Sequence, residues 1–434
     1  VAVVPDGAQV LAATRDAHGA PVETIGVSEH AHGAGSAILL APDVVGSIVR
    51  IQMGNPVHRD GVPSADGTAP VGDGIRKSDD GIVLDWILDR RSVPETPELR
   101  CFLDPQADLW RELILRALLH ASTRARSALR LLWYWPNNLP AIGHLSHDSD
   151  GNVPERAEEL LAALARAGAP GTWCIILPGY SPELLERIRS AGHELATHYD
   201  AMSPGTIFSE HEFDAQWREL RARFGTDPVS NKNHYLRWEG DVDILRWCIE
   251  RGIRMDQSKG ASKTGAAGFA FGSCHPYRPV DADGRLLDIL ELATPTQDLH
   301  VFAPESLARP LLESAVRTHG VAHFLFHPAH MNKPGVADSL VRTVEAGKAM
   351  GMHWWTAEGI IAWDLARRTA RWTNGALSAA EPFRGATVLV HAPWETNVRC
   401  GGAPMDSTRR WGVDLHVAIV DVHPGKCIEI EAGQ

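Results

Sequence analysis

Up to about residue 100 the apolar positions come in short runs separated by Gly, Asp and Pro. Ala37-Ile38-Leu39-Leu40-Ala41 and Gly46-Ser47-Ile48-Val49-Arg50 read as strands, and residues 54–80 as loop. From Asp108 to about Leu131 the period lengthens. Leu109, Leu113, Leu115, Leu118 and Leu119 recur at helical spacing and lead into Trp133-Tyr134-Trp135-Pro136.

From about 140 to 372 strand and helix signals alternate. Strands are expected over residues 141–147, 172–177, 193–198, 229–233, 253–256, 286–292, 322–326 and 353–356. Helices are expected over 154–167, 181–191, 213–224, 241–251, 304–318, 338–350 and 357–370. Ser181 and Asp338 read as caps, and Pro182 suits a first turn. Repeated strand–helix pairs imply parallel strands, hence an α/β sheet or barrel. Beyond Thr373 short strand-like runs return, with Gly and Pro between them. The expected organisation is an N-terminal accessory region (1–138), an α/β barrel (139–373) and a small β-rich appendage (374–434).

Composition narrows this little. A chain of 434 residues suits two or three domains. The net charge of -12 argues against a broad nucleic-acid footprint. No run approaches the roughly 20 apolar residues that span a bilayer. The chain starts at Val1, so a leader was removed or the sequence begins inside a longer protein, and secreted, periplasmic and cytoplasmic locations all stay open. The six cysteines form no CxxC pair, leaving disulfides and scattered free thiols as alternatives.

Four segments carry candidate chemistry, each at the C-terminal end of a different expected strand. There α/β barrels assemble their sites. The first is His147-Asp148-Ser149-Asp150-Gly151, where one carboxylate can bind a cation and the other accept a proton; the plain alternative is an Asp-rich helix cap. The second is Gly192-His193-Glu194-Leu195-Ala196-Thr197-His198. Its histidines are five apart, on opposite strand faces, so they are not expected to share one metal. The third is Asn231-Lys232-Asn233-His234-Tyr235-Leu236-Arg237-Trp238, suited to an anionic intermediate or a sugar ring, or else a loop with an aromatic anchor. The fourth is Phe324-Leu325-Phe326-His327-Pro328-Ala329-His330, where His327 suits a general acid because imidazole titrates near neutrality. With 21 histidines present, any single one is more simply a satisfied structural residue.

Together these segments resemble the polysaccharide deacetylase, or NodB-homology, family over roughly 140–370. His147 to Gly151 is similar to its first motif and Gly192 to His198 to its second. Asn231 to Trp238 falls where the third belongs, Met255-Asp256-Gln257-Ser258 resembles the fourth, and Phe324 to His327 the fifth. The resemblance implies a distorted (β/α) barrel and a divalent cation, commonly zinc, with cobalt and nickel as alternatives. It implies Asp148 as general base, Asp150 and His198 as metal ligands, Asp256 as the residue tuning the acid, and His327 as that acid.

One position departs from the pattern. Four residues after His198, where the family supplies another histidine, stands Met202, a poor ligand beside hard donors. His234 is the expected replacement, with Asp200, His211 and His330 as alternatives. Lys232 and Arg237 are expected to assist an oxyanion, with Trp238, Tyr199, Trp135 and His330 near the substrate. The reading is a metal-dependent hydrolase removing an acyl group from an N- or O-acylated carbohydrate. Rival readings are an inactive carbohydrate-binding relative, motivated by Met202, and a hydrolase of small non-sugar amides. Residues 1–130 distantly resemble the end of a glutamine-amidotransferase-like domain without its nucleophile.

Overall fold

The computed structural model describes residues 6–16, 18–33, 35–61, 74–262, 264–395 and 397–432; part of the loop expected over 54–80 lies outside them. The strand–helix alternation forms one parallel sheet. Its strands are β1 (Ile142–Asp148), β2 (Thr172–Ile175), β3 (Glu194–Tyr199), β4 (Ser230–Asn233), β5 (Met255–Asp256), β6 (Leu290–Glu291), β7 (Val321–Leu325) and β8 (His353–Trp355). Their order is β6-β5-β4-β3-β2-β1-β7, with β8 also paired to β1. β1 divides its second edge: β8 partners Ile142 to His144, and β2 partners Ser146 to Asp148. The sheet curls into an open, distorted (β/α) barrel, the α/β class expected. Every residue of β1 to β4 is buried, which is why these strands lack a polar-out alternation. Gly143 has a packing reason: a Cβ there would lie 2.5 Å from the Trp354 ring.

Local signals explain the helices between the strands. α1 (Pro154–Ala167) starts on a proline and ends at Gly168, whose φ of 58° suits a left-handed cap. It buries Ala157, Leu160, Ala163, Leu164 and Ala167 at helical spacing. α2 (Pro182–Ser190) is capped by Ser181, whose Oγ accepts from the Leu184 amide at 3.3 Å. α3 (Glu210–Phe224), α4 (Asp243–Glu250), α5 (Ala308–Thr318) and α6 (Val336–Ala349) follow. Asp338 is not the cap of α6. The helix starts two residues earlier, after Gly335 at φ 84°, and Asp338 pairs with Arg166 at 2.6 Å. A core of Leu145, Leu160, Trp173, Ile188, Leu312, Phe324, Leu340 and Trp354 lies under these helices.

The chain forms two compact units, each built from separated stretches. Residues 49–108 and 139–362 make the sheet unit; 1–48, 109–138 and 363–434 make the other. Residues 49–108, expected with the N-terminal region, thus belong with the sheet. Within that unit Val57 bridges Gly240, Lys77 bridges Arg237 and Phe102 bridges Gly268. Among its described residues the other unit holds three antiparallel sheets. One pairs Gln9–Arg15, Pro21–His32 and Gly35–Leu40. A second sets Leu129–Leu132 against Phe383–His391, so the C-terminal β region shares a sheet with residues far upstream.

Two elements differ from their expected form. The run 46–50 is helical, inside Val44–Met53, because Asp43 Oδ1 accepts from the Gly46 amide at 2.9 Å and caps the first turn. The long helix is Gln106–Ala125, and the apolar residues after it form the strand Leu129–Leu132. All six cysteines are free thiols; five are buried and Cys427 is exposed. Among the described residues no helix is long and apolar enough to cross a membrane.

Candidate active site

The C-terminal edge of the sheet gathers the first three motifs and the fifth. β1 ends at Asp148. The chain then turns through Asp150–Asn152, with Gly151 at φ 75°, so Asp150 arrives from a turn rather than from strand alternation. Ser149 pins this turn: its Oγ donates to Asn152 Oδ1 at 2.9 Å and accepts from the Ile176 amide at 3.1 Å. His198 lies on β3 opposite Lys232 of β4, and His234 follows the end of β4. His327 stands two residues beyond β7. His193, by contrast, faces away and accepts from the Gly171 amide at 3.0 Å.

Asp150, His198 and His234 each offer a ligand atom, all within 4.8 Å of one another. His198 Nε2 lies 3.2 Å from Asp150 Oδ1, and His234 Nε2 lies 3.5 Å from Asp150 Oδ2. Each ring is held from behind. His198 Nδ1 donates to the Lys232 carbonyl at 2.9 Å, and His234 Nδ1 donates to Asp200 Oδ1 at 2.9 Å. A carbonyl only accepts, so His198 carries its proton on Nδ1 and turns the Nε2 lone pair toward Asp150. Two acceptors thus face each other, and both His198 Nε2 and Asp150 Oδ1 are buried without a hydrogen-bond partner. A shared cation or proton is what stabilises such a pair. Burial opposes ionisation of Asp150, but His198, His234 and His327 outweigh it and hold its carboxyl well below the usual range. Burial likewise lowers His234, yet Asp150 and Asp200 raise it overall to about 9.

Met202 has a different task in this arrangement. Its backbone amide donates to Asp200 Oδ1 at 2.8 Å, on the oxygen that holds His234. His234, at the neighbouring strand end, is thus held by Asp200 with the turn around Met202 behind it.

Asp148 and His327 border the cluster. Asp148 Oδ2 is 3.8 Å from His198 Nε2 and 4.0 Å from His327 Nε2, which is itself 3.7 Å from Asp150 Oδ2. The carboxylate that holds His327 is Asp298, not Asp256. Asp298 Oδ2 accepts from His327 Nδ1, and Oδ1 accepts the His327 amide at 2.7 Å. Burial lowers His327, but the charge and hydrogen bond of Asp298, then Asp148 and Asp150, raise it to about 9. Asp256 instead accepts from Asn231 Nδ2 at 2.7 Å and from Ser258. His330 Nδ1 lies 3.0 Å from Asp298 Oδ2, beside the carboxylate that holds His327.

Lys232 is fully buried, with Nζ donating to Ser146 Oγ at 2.5 Å and lying 3.5 Å from Asp148 Oδ1. It lies buried against Ser146 and Asp148. Arg237 is engaged by Glu239 and the Ala201 carbonyl. The expected stacking rings are core. Tyr199 is 1% exposed and packs on Phe208 and Phe213, Trp238 is 2% exposed with its indole N–H on the Asp241 carbonyl, and Trp135 is buried. Their apolar area is worth more against neighbouring side chains than in water.

No family model matches the sequence, and no curated relative matches it. Among solved structures the chain is similar to polysaccharide deacetylases and family 4 carbohydrate esterases. A Mycobacterium smegmatis protein assigned as a polysaccharide deacetylase aligns at 18% identity and TM-score 0.42, over 55% of this chain and 94% of that one. A family 4 carbohydrate esterase from Streptomyces lividans aligns at 13% identity and TM-score 0.32, over 50% and 92%. A family 4 pseudoenzyme from Bacillus anthracis aligns at 11% identity and TM-score 0.32, over 52% and 66%.

Two site residues escaped the sequence reading in their roles. Asp298 lies in a loop with no strand signal of its own; only its place after the apolar run 286–292 pointed to the same edge. Asp200, an alternative ligand in the sequence, accepts from His234 Nδ1.

Proposed function

We propose that this protein is a metal-dependent hydrolase that removes an acyl group from an N- or O-acylated carbohydrate. The observation that carries this reading is the buried, partnerless pair of His198 Nε2 and Asp150 Oδ1, joined by His234 and flanked by Asp148 and His327. Asp150, His198 and His234 would hold the cation, and two imidazoles with one carboxylate suit zinc. When bound, such an ion supplies Lewis acidity, polarising the acyl carbonyl and acidifying water.

The chain's own groups divide the remaining work. Asp148 takes the proton of the attacking water as the base. Lys232 beneath it, with Nζ 3.5 Å from Asp148 Oδ1, fixes its direction. His327, held protonated by Asp298, gives its Nε2 proton to the departing nitrogen or oxygen. Asp200 keeps the His234 lone pair aimed inward. Met202 motivates the inactive-relative reading; His234 within reach of Asp150 and His198 favours the hydrolase over it.

The test is a paired substitution. Asp148→Asn is expected to keep zinc while losing about 10²–10⁴-fold in kcat on acetylated sugars, whereas Asp150→Asn is expected to lose the zinc itself. Protein that binds no zinc, or that hydrolyses no N-acetyl sugar, O-acetyl sugar or small amide after zinc or cobalt loading, ends the hydrolase reading.

A further inference from the structure

Most aromatic rings among the described residues are buried or half-buried. The sequence has 14 Trp, 5 Tyr and 10 Phe, and among the described residues only Tyr235 (53%) and Phe302 (45%) are exposed. Both stand at the candidate site. The Tyr235 ring is 4.6 Å from the His234 ring. The Phe302 ring is 5.6 Å from His330 and 6.5 Å from His327. His234 and His327 in turn approach the same oxygen, Asp150 Oδ2, at 3.5 and 3.7 Å. One exposed ring therefore borders the ligand side and the other the acid side.

The backbone holds each ring out deliberately. Tyr235 and Leu236 both have positive φ, 59° and 52°, a conformation that bulky residues rarely adopt. The turn is closed by the Arg237 amide on the His234 carbonyl at 3.1 Å and by Asn233 Nδ2 on the Arg237 carbonyl at 2.9 Å. Lys77 lies 5.7 Å from the Tyr235 ring centre. In the other loop Asp298 and His300 have φ of 25° and 71°. The amides of Val301 and Phe302 both donate to the Asp298 carbonyl, at 2.9 and 3.0 Å. Thus Phe302 is tied to the residue that holds the acid. Strained loops that expose an aromatic ring next to reacting groups, where the other described aromatics are buried or half-buried, mark a binding surface.

We propose that Tyr235 and Phe302 are the specificity-determining aromatic pair of this site, stacking on the ring of an acylated sugar so that its acyl group meets Asp148 and His327. The apolar C–H face of a pyranose fits the electron-rich face of an aromatic ring, and the polar edges of the sugar stay in water. This assignment rests on the hydrolase reading for its chemistry but not for its binding.

The experiment measures both. Binding of N-acetylglucosamine tetramer and of acetylated xylotetraose is followed by calorimetry in an Asp148→Asn background, which prevents turnover. Tyr235→Ala and Phe302→Ala are each expected to weaken binding of at least one probe about tenfold, with Tyr235→Phe and Phe302→Tyr restoring it and the melting temperature unchanged. In the otherwise native enzyme the alanine variants are expected to raise KM for the acetylated sugars more than they lower kcat. Unchanged sugar affinity in both alanine variants, or no binding of either sugar by the parent, overturns the pair even if hydrolysis is found. Ring-dependent binding without any hydrolysis upholds the pair and overturns the hydrolase.

Discussion

Asp200 Oδ1 takes two donors at once, the His234 imidazole at 2.9 Å and the Met202 amide at 2.8 Å. The turn at 202 thus orients Asp200, and Asp200 orients His234, so the proposed ligand set needs no histidine at 202. Met202→Ala is expected to leave zinc stoichiometry unchanged, since the backbone amide does the work. Asp200→Ala is expected to weaken zinc about 10–100-fold, as loss of a partner behind a ligand typically does. Competition against a chromogenic chelator measures both; loss of zinc in the methionine variant would contradict the assignment.

Zinc affinity should also depend on pH in a definite direction. Asp150 and Asp200 raise His234 to about 9 against the effect of burial. A cation must displace that proton, so affinity should rise with pH up to about 9, by up to about tenfold per unit for one displaced proton. A flat profile between pH 6 and 9 would mean that His234 is not a ligand.

The acid makes a separate prediction. His327 must be protonated to act, and it is raised to about 9, so kcat should fall as pH rises through that value. Asp298 is the largest cause of the rise. Removing it with Asp298→Asn should shift the basic limb of the profile to lower pH as well as reduce the rate. An unmoved limb in that variant would separate Asp298 from the acid.

Stability should fall on the acid side for a different reason. His144 is fully buried with Nδ1 on the Trp355 carbonyl at 2.9 Å, and burial lowers it to about 4; His323 is lowered as well, first by burial and then by His144. The unfolded chain takes up these protons near 6.5, the folded chain only near 4 or below. Their contribution is therefore full above pH 6.5 and is lost as pH drops toward 4. Urea midpoints at pH 4.5, 5.5 and 7 would reveal it. A midpoint that does not fall on acidification would rule it out.

Packing yields the last prediction. A Cβ on Gly143 would come within 2.5 Å of the Trp354 ring, where β8 closes on β1. Gly143→Ala is expected to cost about 1–3 kcal/mol through overpacking. A Trp354→Leu change in the same chain should recover part of that loss in a urea titration.

The sequence by itself determined what is local. The alternation of apolar runs and helical periods placed all eight strands of the barrel to within a few residues, because each signal lies inside its own element. It also set Asp148, His198 and His327 at or near strand ends, since a buried strand in an α/β sheet releases its chain at the edge where sites form. What joins those ends was decided only by the tertiary structure. Asp298 reaches His327 across 29 residues, His234 reaches Asp150 across 84, and Lys232 passes under Asp148 from the same distance. Those partnerships depend on strand register and loop path, which no spacing in the sequence encodes. The same holds for Tyr199 and Trp238: an aromatic ring reads alike whether it is core or binding surface, and only the neighbours that the fold brings around it decide which it becomes.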